Sequence, residues 1–143
     1  MLDLLCKKGD KGVIMKFLNS EIYEMSKKLN QTFSDHKTTS LPIKVSFRIY
    51  KNKQTLEKEG RVVEQCLFQL YDKYGTREDN GVLIPAENLE NFQKEYDSLM
   101  NIVQDLDIYK IKISEIDASM QITNEEMEAI FFMIDEKEEL LHE

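Results

Sequence analysis

Two runs of residues, spaced alternately three and four apart on either side of a short polar stretch, constrain this chain more than anything else in it. In the segment from Leu41 to Leu106, the second run places Leu89, Phe92, Tyr96, Leu99, Val103 and Leu106 on one helical stripe. The first keeps the same rhythm through Val45, Ile49, Asn52, Leu56, Glu59, Val63, Cys66 and Leu70. This is the a/d pattern of packed helices, and it predicts a long antiparallel helical hairpin. Asn52 and Glu59 interrupt the first seam with polar groups, which marks a seam partly open to water or one that fixes register.

The rest of the chain supports one domain around that hairpin. With 143 residues, 41% hydrophobic and 32% charged, it is long enough to bury roughly two-thirds of its unfolded surface without a disulfide or metal. Cys6 and Cys66 are far apart and belong to no CxxC or Cys/His spacing, so free thiols in a reducing compartment are expected. Apolar runs such as that from Ala129 to Ile134 fall far short of the roughly eighteen residues of a membrane span, and no signal peptide is visible.

Charge is distributed unevenly. Residues 1–114 carry 18 basic and 17 acidic side chains, whereas 115–143 carry 10 acidic residues against Lys137 alone, so the net charge of -8 is C-terminal. In 41–61 the bias reverses, with Lys44, Arg48, Lys51, Lys53, Lys58 and Arg61 facing only Glu57 and Glu59. Lys44, Arg48, Lys51 and Lys58 share a helical stripe, which reads as a solvated face, a dock for the acidic tail, or a nucleic-acid contact. An overall negative chain argues against nucleic acid. The acidic residues Glu125, Glu126, Glu128, Asp135 and Glu136 could instead imitate a phosphate backbone, so the two charged sets are the candidate partner-binding residues.

Local signals divide the chain further. Lys11-Gly12-Val13 can be encoded by AAAGGAGT, a purine-rich ribosome-binding sequence a few bases before the Met15 codon, so residues 1–14 are expected to be a non-native or mis-started leader, followed by a single domain over 15–143. A strand over Met15–Leu18 leads into a helix from about Ser20 to Phe33, with Ser20 as N-cap and Ile22, Met25 and Leu29 on its apolar face. Ser40-Leu41-Pro42 caps the long helix, which should end at Tyr74 with Gly75 in a left-handed conformation. Gly60 in its middle predicts a close crossing or a bend. Asp79-Asn80-Gly81 marks a turn, and Pro85 opens the return helix, with Glu87 and Glu90 in its first turns. Ile108–Ile113 alternates as a strand, so a small sheet of terminal strands is expected with Met15–Leu18. Thr123 and Glu126 form a capping box ahead of a last helix with Met127, Ile130, Phe131 and Ile134 on its buried stripe. The fold class is therefore α+β, mainly α.

Chemical motifs are sparse. Thr76 to Glu87 imitates a calcium loop, with Glu78, Asn80, Gly81 and Glu87 at suitable positions, but Thr76 stands where a carboxylate is needed and Arg77 adds a repulsive neighbour. A polar turn between helices accounts for the same residues. His36 and His142 lie in polar surroundings, and the sequence contains no phosphate loop, HExxH or nucleophile motif. Glu59 would acquire a raised pKa if buried in the seam, or would pair with Arg48 or Arg61. No catalytic residue, metal ligand or cofactor is assigned.

Leu41-Pro42-Ile43-Lys44 ahead of a helix, Tyr71-Asp72-Lys73-Tyr74-Gly75 before the Asp79-Asn80-Gly81 turn, Phe92-Gln93-Lys94-Glu95-Tyr96-Asp97-Ser98-Leu99-Met100-Asn101, and Phe131-Phe132-Met133-Ile134 resemble small uncharacterised proteins encoded by phages and prophages of low-GC Gram-positive bacteria. The resemblance spans about Met15 to Glu136 and implies a viral origin. Together with the absence of catalytic motifs, it leads to the expectation of a non-enzymatic binding protein of the host cytoplasm, an inhibitor of a bacterial host or anti-phage defence component. A head or tail assembly chaperone is the alternative, followed by a small-molecule or nucleotide-signal sponge at a subunit interface. The expected partners are a host or phage protein and further copies of the chain, with no membrane.

Overall fold

The computed structural model describes residues 12–33, 41–116 and 122–135. These are mostly helical, with three small two-stranded sheets. Strand β1 (Val13–Leu18) leads into helix α1 (Asn19–Thr32), and α2 (Ile43–Tyr74) follows. A β-hairpin of β2 (Thr76–Glu78) and β3 (Gly81–Leu83) connects α2 to α3 (Ala86–Met100). Then come β4 (Val103–Ile108), β5 (Ile111–Lys112), α4 (Asn124–Ile130) and β6 (Ile134–Asp135).

The boundaries of α2 match the sequence reading, but their causes differ in part. Pro42 occupies the N-cap, its carbonyl accepting the Ser46 N–H at 3.0 Å; Ser40 lies outside the described residues. Gly75 closes the helix in an extended conformation. Its missing side chain matters for space, because a Cβ there would come within 2.7 Å of the Leu83 carbonyl oxygen and of Ile84. The left-handed glycine is Gly81, with φ at +134° just after the Asp79-Asn80 turn. Gly60 marks a close crossing as expected, since a Cβ would meet Ser26 of α1 at 3.2–3.3 Å.

Four expectations need correction. The return helix stops at Met100, and Val103 and Leu106 belong to β4, which pairs antiparallel with β1 from Val13↔Ile108 to Leu18↔Val103. A step of three residues from Val103 to Leu106 fits a helical seam, but Leu106 and Ile108 face inward while Asp105 and Asp107 face water, which is strand alternation. The terminal sheet therefore forms five residues upstream of the predicted Ile108–Ile113; of that range Ile108 ends β4 opposite Val13, while Ile111 and Lys112 pair, parallel, with Ile134 and Asp135. Val13 and Ile14, placed in the leader by the codon argument, extend β1, whereas residues 1–11 lie outside the described region.

The third correction concerns the start of α1. Ser20 is inside the helix; Leu18 is the cap residue, and its N–H is satisfied by Glu21 Oε1 at 2.8 Å. The fourth concerns the last helix. Its capping box is present, with Thr123 N–H donating to Glu126 and Glu126 N–H to Thr123 Oγ1. After Ile130 the chain tightens to a 3-10 turn, Phe131–Met133, so Met133 points inward and Phe131 is exposed.

The main core lies between α1, the proximal part of α2, the β1–β4 sheet and α4. Ile22, Leu29, Phe33, Ile49, Leu56, Ile108, Ile111, Ile130 and Met133 are fully buried there. A second, smaller cluster of Val63, Leu67 and Met100 joins distal α2 to α3, covered by Tyr23, Tyr71, Tyr96 and Leu99. The helical seam is thus divided: α1, the strands and α4 cover its proximal part, and α3 covers its distal part.

Candidate protein-interaction surface

Two buried asparagines set the relation between these regions. Asn52, the polar interruption in the first seam, imitates a strand edge: its Nδ2 donates to the Tyr109 carbonyl at 2.9 Å, and its Oδ1 accepts the Tyr109 N–H at 2.8 Å. It thereby satisfies the backbone where β4 gives way to β5. Asn19 does the same where α3 becomes β4. Its Nδ2 donates to the Leu99 carbonyl at 2.8 Å, its N–H to the Ile102 carbonyl at 2.9 Å, and its Oδ1 accepts from Gln104. The polar break at Asn52 is a readable signal in the sequence, whereas Asn19 follows no periodicity and is missed.

Distal α2, the β2–β3 hairpin and α3 expose Val62, Phe68, Leu83 and Leu89 beside a cluster of aromatic rings. Tyr71 stacks on Phe92 at 5.9 Å, Phe92 stacks on Tyr96 at 5.8 Å, and Tyr74 meets Phe92 edge-on at 6.3 Å. Such contacts hold two helices together through rings instead of a deep aliphatic core. Cations border the rings: Lys27 lies 4.0 Å from the Tyr23 centroid, Lys73 5.1 Å from Tyr74 and Arg77 5.6 Å from Phe68. Asn88 Nδ2 donates to the Tyr74 carbonyl at 3.0 Å and fastens the start of α3 to the end of α2.

Glu95 completes this contact. It accepts from the Tyr74 hydroxyl and from Lys73 Nζ, the latter at 3.0 Å. The Tyr74 hydrogen bond, followed by Lys73, holds the Glu95 carboxyl below the ordinary carboxylate value. The same contacts raise Lys73, Glu95 first and Tyr74 second. Burial, then the neighbouring Tyr23 and Tyr96, push the Tyr71 hydroxyl up. The arrangement fastens the end of α2 to α3.

Beside this contact, a groove of about 360 Å³ runs between α2 and α3, lined by Cys66, Gln69, Leu70, Glu95, Ser98, Leu99 and Ile102. Cys66 is a half-buried free thiol. Leu83 and Leu89, at 56% and 51% exposure, extend the apolar surface toward the hairpin end. Only Met100 of α3 is buried.

The charged candidates are dispersed. Lys44, Lys51 and Lys58 face solvent, but Arg48 is drawn into the protein, its side chain 8% exposed and its Nη1 2.6 Å from Glu115. Arg48 is therefore an internal ion-pair partner, because the inner edge of the stripe overlaps the buried face of α2. Through Glu115 it links the basic segment to the start of the acidic one. Glu126 is engaged in its capping box and Glu128 with Lys28 at 3.2 Å, while Glu125 is exposed. Asp135 lies in β6, and Glu136 is outside the described residues. Glu59 is half-buried, and Gly60 takes the crossing position beside it. Thr76 to Glu87, read as a polar turn between helices, contains the β2–β3 hairpin.

Cys6, His36 and His142 lie outside the described residues. Among the described residues, no group of three or more His, Cys, Asp or Glu could hold a metal ion, and no helix is long and apolar enough to cross a membrane. No protein-family model, curated protein or solved structure matches the chain.

Proposed function

We propose that this chain is a phage-encoded, non-enzymatic binding protein that engages and inhibits a bacterial host or anti-phage defence component in the host cytoplasm. The viral assignment rests on the resemblance of the 41–44, 71–81, 92–101 and 131–134 segments to phage and prophage proteins. In this reading, distal α2 and α3 act as an antiparallel helical hairpin presented to the partner. One observation carries the binding role: α3 buries only Met100, yet it borders an apolar groove and presents Leu89 to water. A helix so exposed is retained for a contact made outside the fold, and apolar patches bordered by polar residues mark such contacts.

Affinity capture from infected cells, using the wild type and a Leu89→Asp/Leu99→Asp variant, tests this reading. The expected result is a host protein recovered with the wild type, lost with the variant, and inhibited in its own activity by the purified chain. Recovery of capsid or tail proteins alone would replace the inhibitor with the assembly chaperone. A nucleotide retained by the purified chain would favour the signal sponge.

A further inference from the structure

A cleft of about 220 Å³ opens where α1 crosses α2, lined by Tyr23, Ser26 and Lys27 from one helix and Glu57, Arg61 and Glu64 from the other. Each trio lies within two turns on one side of its helix, so the two helices turn polar strips toward each other. Gly60 sits at the crossing. A Cβ there would stand 3.2 Å from Ser26 Oγ, so the glycine keeps the space beside that hydroxyl open. Ser26 is 7% exposed and lines the cleft, and among the described residues its hydroxyl has no hydrogen-bond partner. A buried hydroxyl left unpaired costs free energy that a polar group entering the cleft recovers.

The charges around this hydroxyl are unpaired as well. Glu57 and Glu64 are half-buried, and Arg61 stands one turn from each on the same helix, a spacing at which such groups ordinarily pair. Among the described residues none of the three has an ion-pair partner. Lys27 rests 4.0 Å from the Tyr23 centroid, which orients its ammonium without neutralising it. Two cations and two anions thus line one cleft with no net charge, and separated signs of this kind suit a molecule that carries both. We infer that the cleft binds a small zwitterion of the free amino acid class. Its ammonium meets Ser26 Oγ and the half-buried carboxylates of Glu57 and Glu64, and its carboxylate meets Lys27 and Arg61, which are exposed at the rim. The volume equals that of about seven waters in the liquid, which is room for a ligand of amino-acid size. The cleft shares no residue with the groove between α2 and α3, so the inference does not depend on the binding role proposed above.

Isothermal titration of the whole chain with each of the common L-amino acids tests it, with ethanolamine and acetate as probes that carry only the ammonium or only the carboxylate. At least one amino acid should bind at a single site per chain and shift the amide resonances of 23–27 and 57–64, and both half-ligands should bind about tenfold more weakly or less. Ser26→Ala and Glu57→Gln should each weaken binding about tenfold, and Arg61→Gln about threefold, all with the wild-type helical circular dichroism. Failure of every amino acid to bind, equal affinity for ethanolamine or acetate, or an affinity that Ser26→Ala and Glu57→Gln leave unchanged would each overturn the inference. Binding lost in Leu89→Asp/Leu99→Asp but kept in Ser26→Ala would place the ligand in the groove between α2 and α3 and overturn it too.

Discussion

The proximal and distal parts of α2 follow one sequence rhythm and end in different environments. In the proximal part Val45, Ile49, Asn52 and Leu56 are enclosed by α1, the β1–β4 sheet and α4, elements gathered from both ends of the chain. In the distal part Val63, Leu67 and Leu70 face one 15-residue helix and a ring cluster. An a/d seam specifies that something packs against a helix, but not how many layers do so. Stability follows the layers, because each layer adds apolar area removed from water.

The sharpest way to test this contrast is to remove equivalent leucines. Leu56→Ala should cost about 3 kcal/mol in urea denaturation, as a fully buried site leaves a cavity. Leu99→Ala, at a half-buried position, should cost about 1 kcal/mol. Equal losses would break the comparison. Asn52→Ala should cost about 2 kcal/mol, because it strips the Tyr109 N–H and carbonyl of their partners beside a fully buried side chain.

The two glycines of α2 and its end extend the contrast to the backbone. Gly60→Val should cost about 2 kcal/mol by forcing α1 and α2 apart at Ser26. Gly75→Ala should cost about 1 kcal/mol, with the loss confined to β2–β3 amides in hydrogen exchange, since its Cβ would collide with the Leu83 carbonyl.

The smallest effect is the response to pH. Glu95 ionises more readily in the folded chain, so its contribution is present above the ordinary value of 4.5 and is lost as pH falls through the lower folded value. Lys73 is raised, so its contribution is complete below 10.5 and is lost as pH rises through the higher folded value. Both groups are exposed to screening solvent, and Glu95→Gln should flatten both limbs of the stability profile while leaving neutral-pH stability nearly unchanged.

What the sequence disclosed, and what it concealed, follows from the range of each interaction. The limits of α2, the Asp79-Asn80-Gly81 turn, the crossing at Gly60 and the Thr123–Glu126 cap depend on neighbours in sequence or on one missing side chain, and all are legible. β4 is not, because Val103 and Leu106 satisfy a helical spacing and only the pairing with Val13–Leu18 distinguishes strand from helix. Arg48 reads as a surface cation because its partner, Glu115, is 67 residues away. Of the candidate surface, Leu89, Phe92, Tyr96 and Leu99 stand out as a stripe. The pairing of Tyr74 with Glu95 and the groove beside Leu70 need two helices in register and leave no local trace.

The central claim is that distal α2 and α3 form a thinly packed, separately yielding surface on a rigid proximal core. Native-state hydrogen exchange along α2 tests it most directly. The amides from Ile49 to Leu56 should exchange only through global unfolding, while those from Leu70 to Tyr74 and through α3 exchange by a smaller opening, largely insensitive to Leu56→Ala and accelerated by Leu99→Ala. Uniform protection from Ile49 to Met100, falling equally in both variants, would contradict the division.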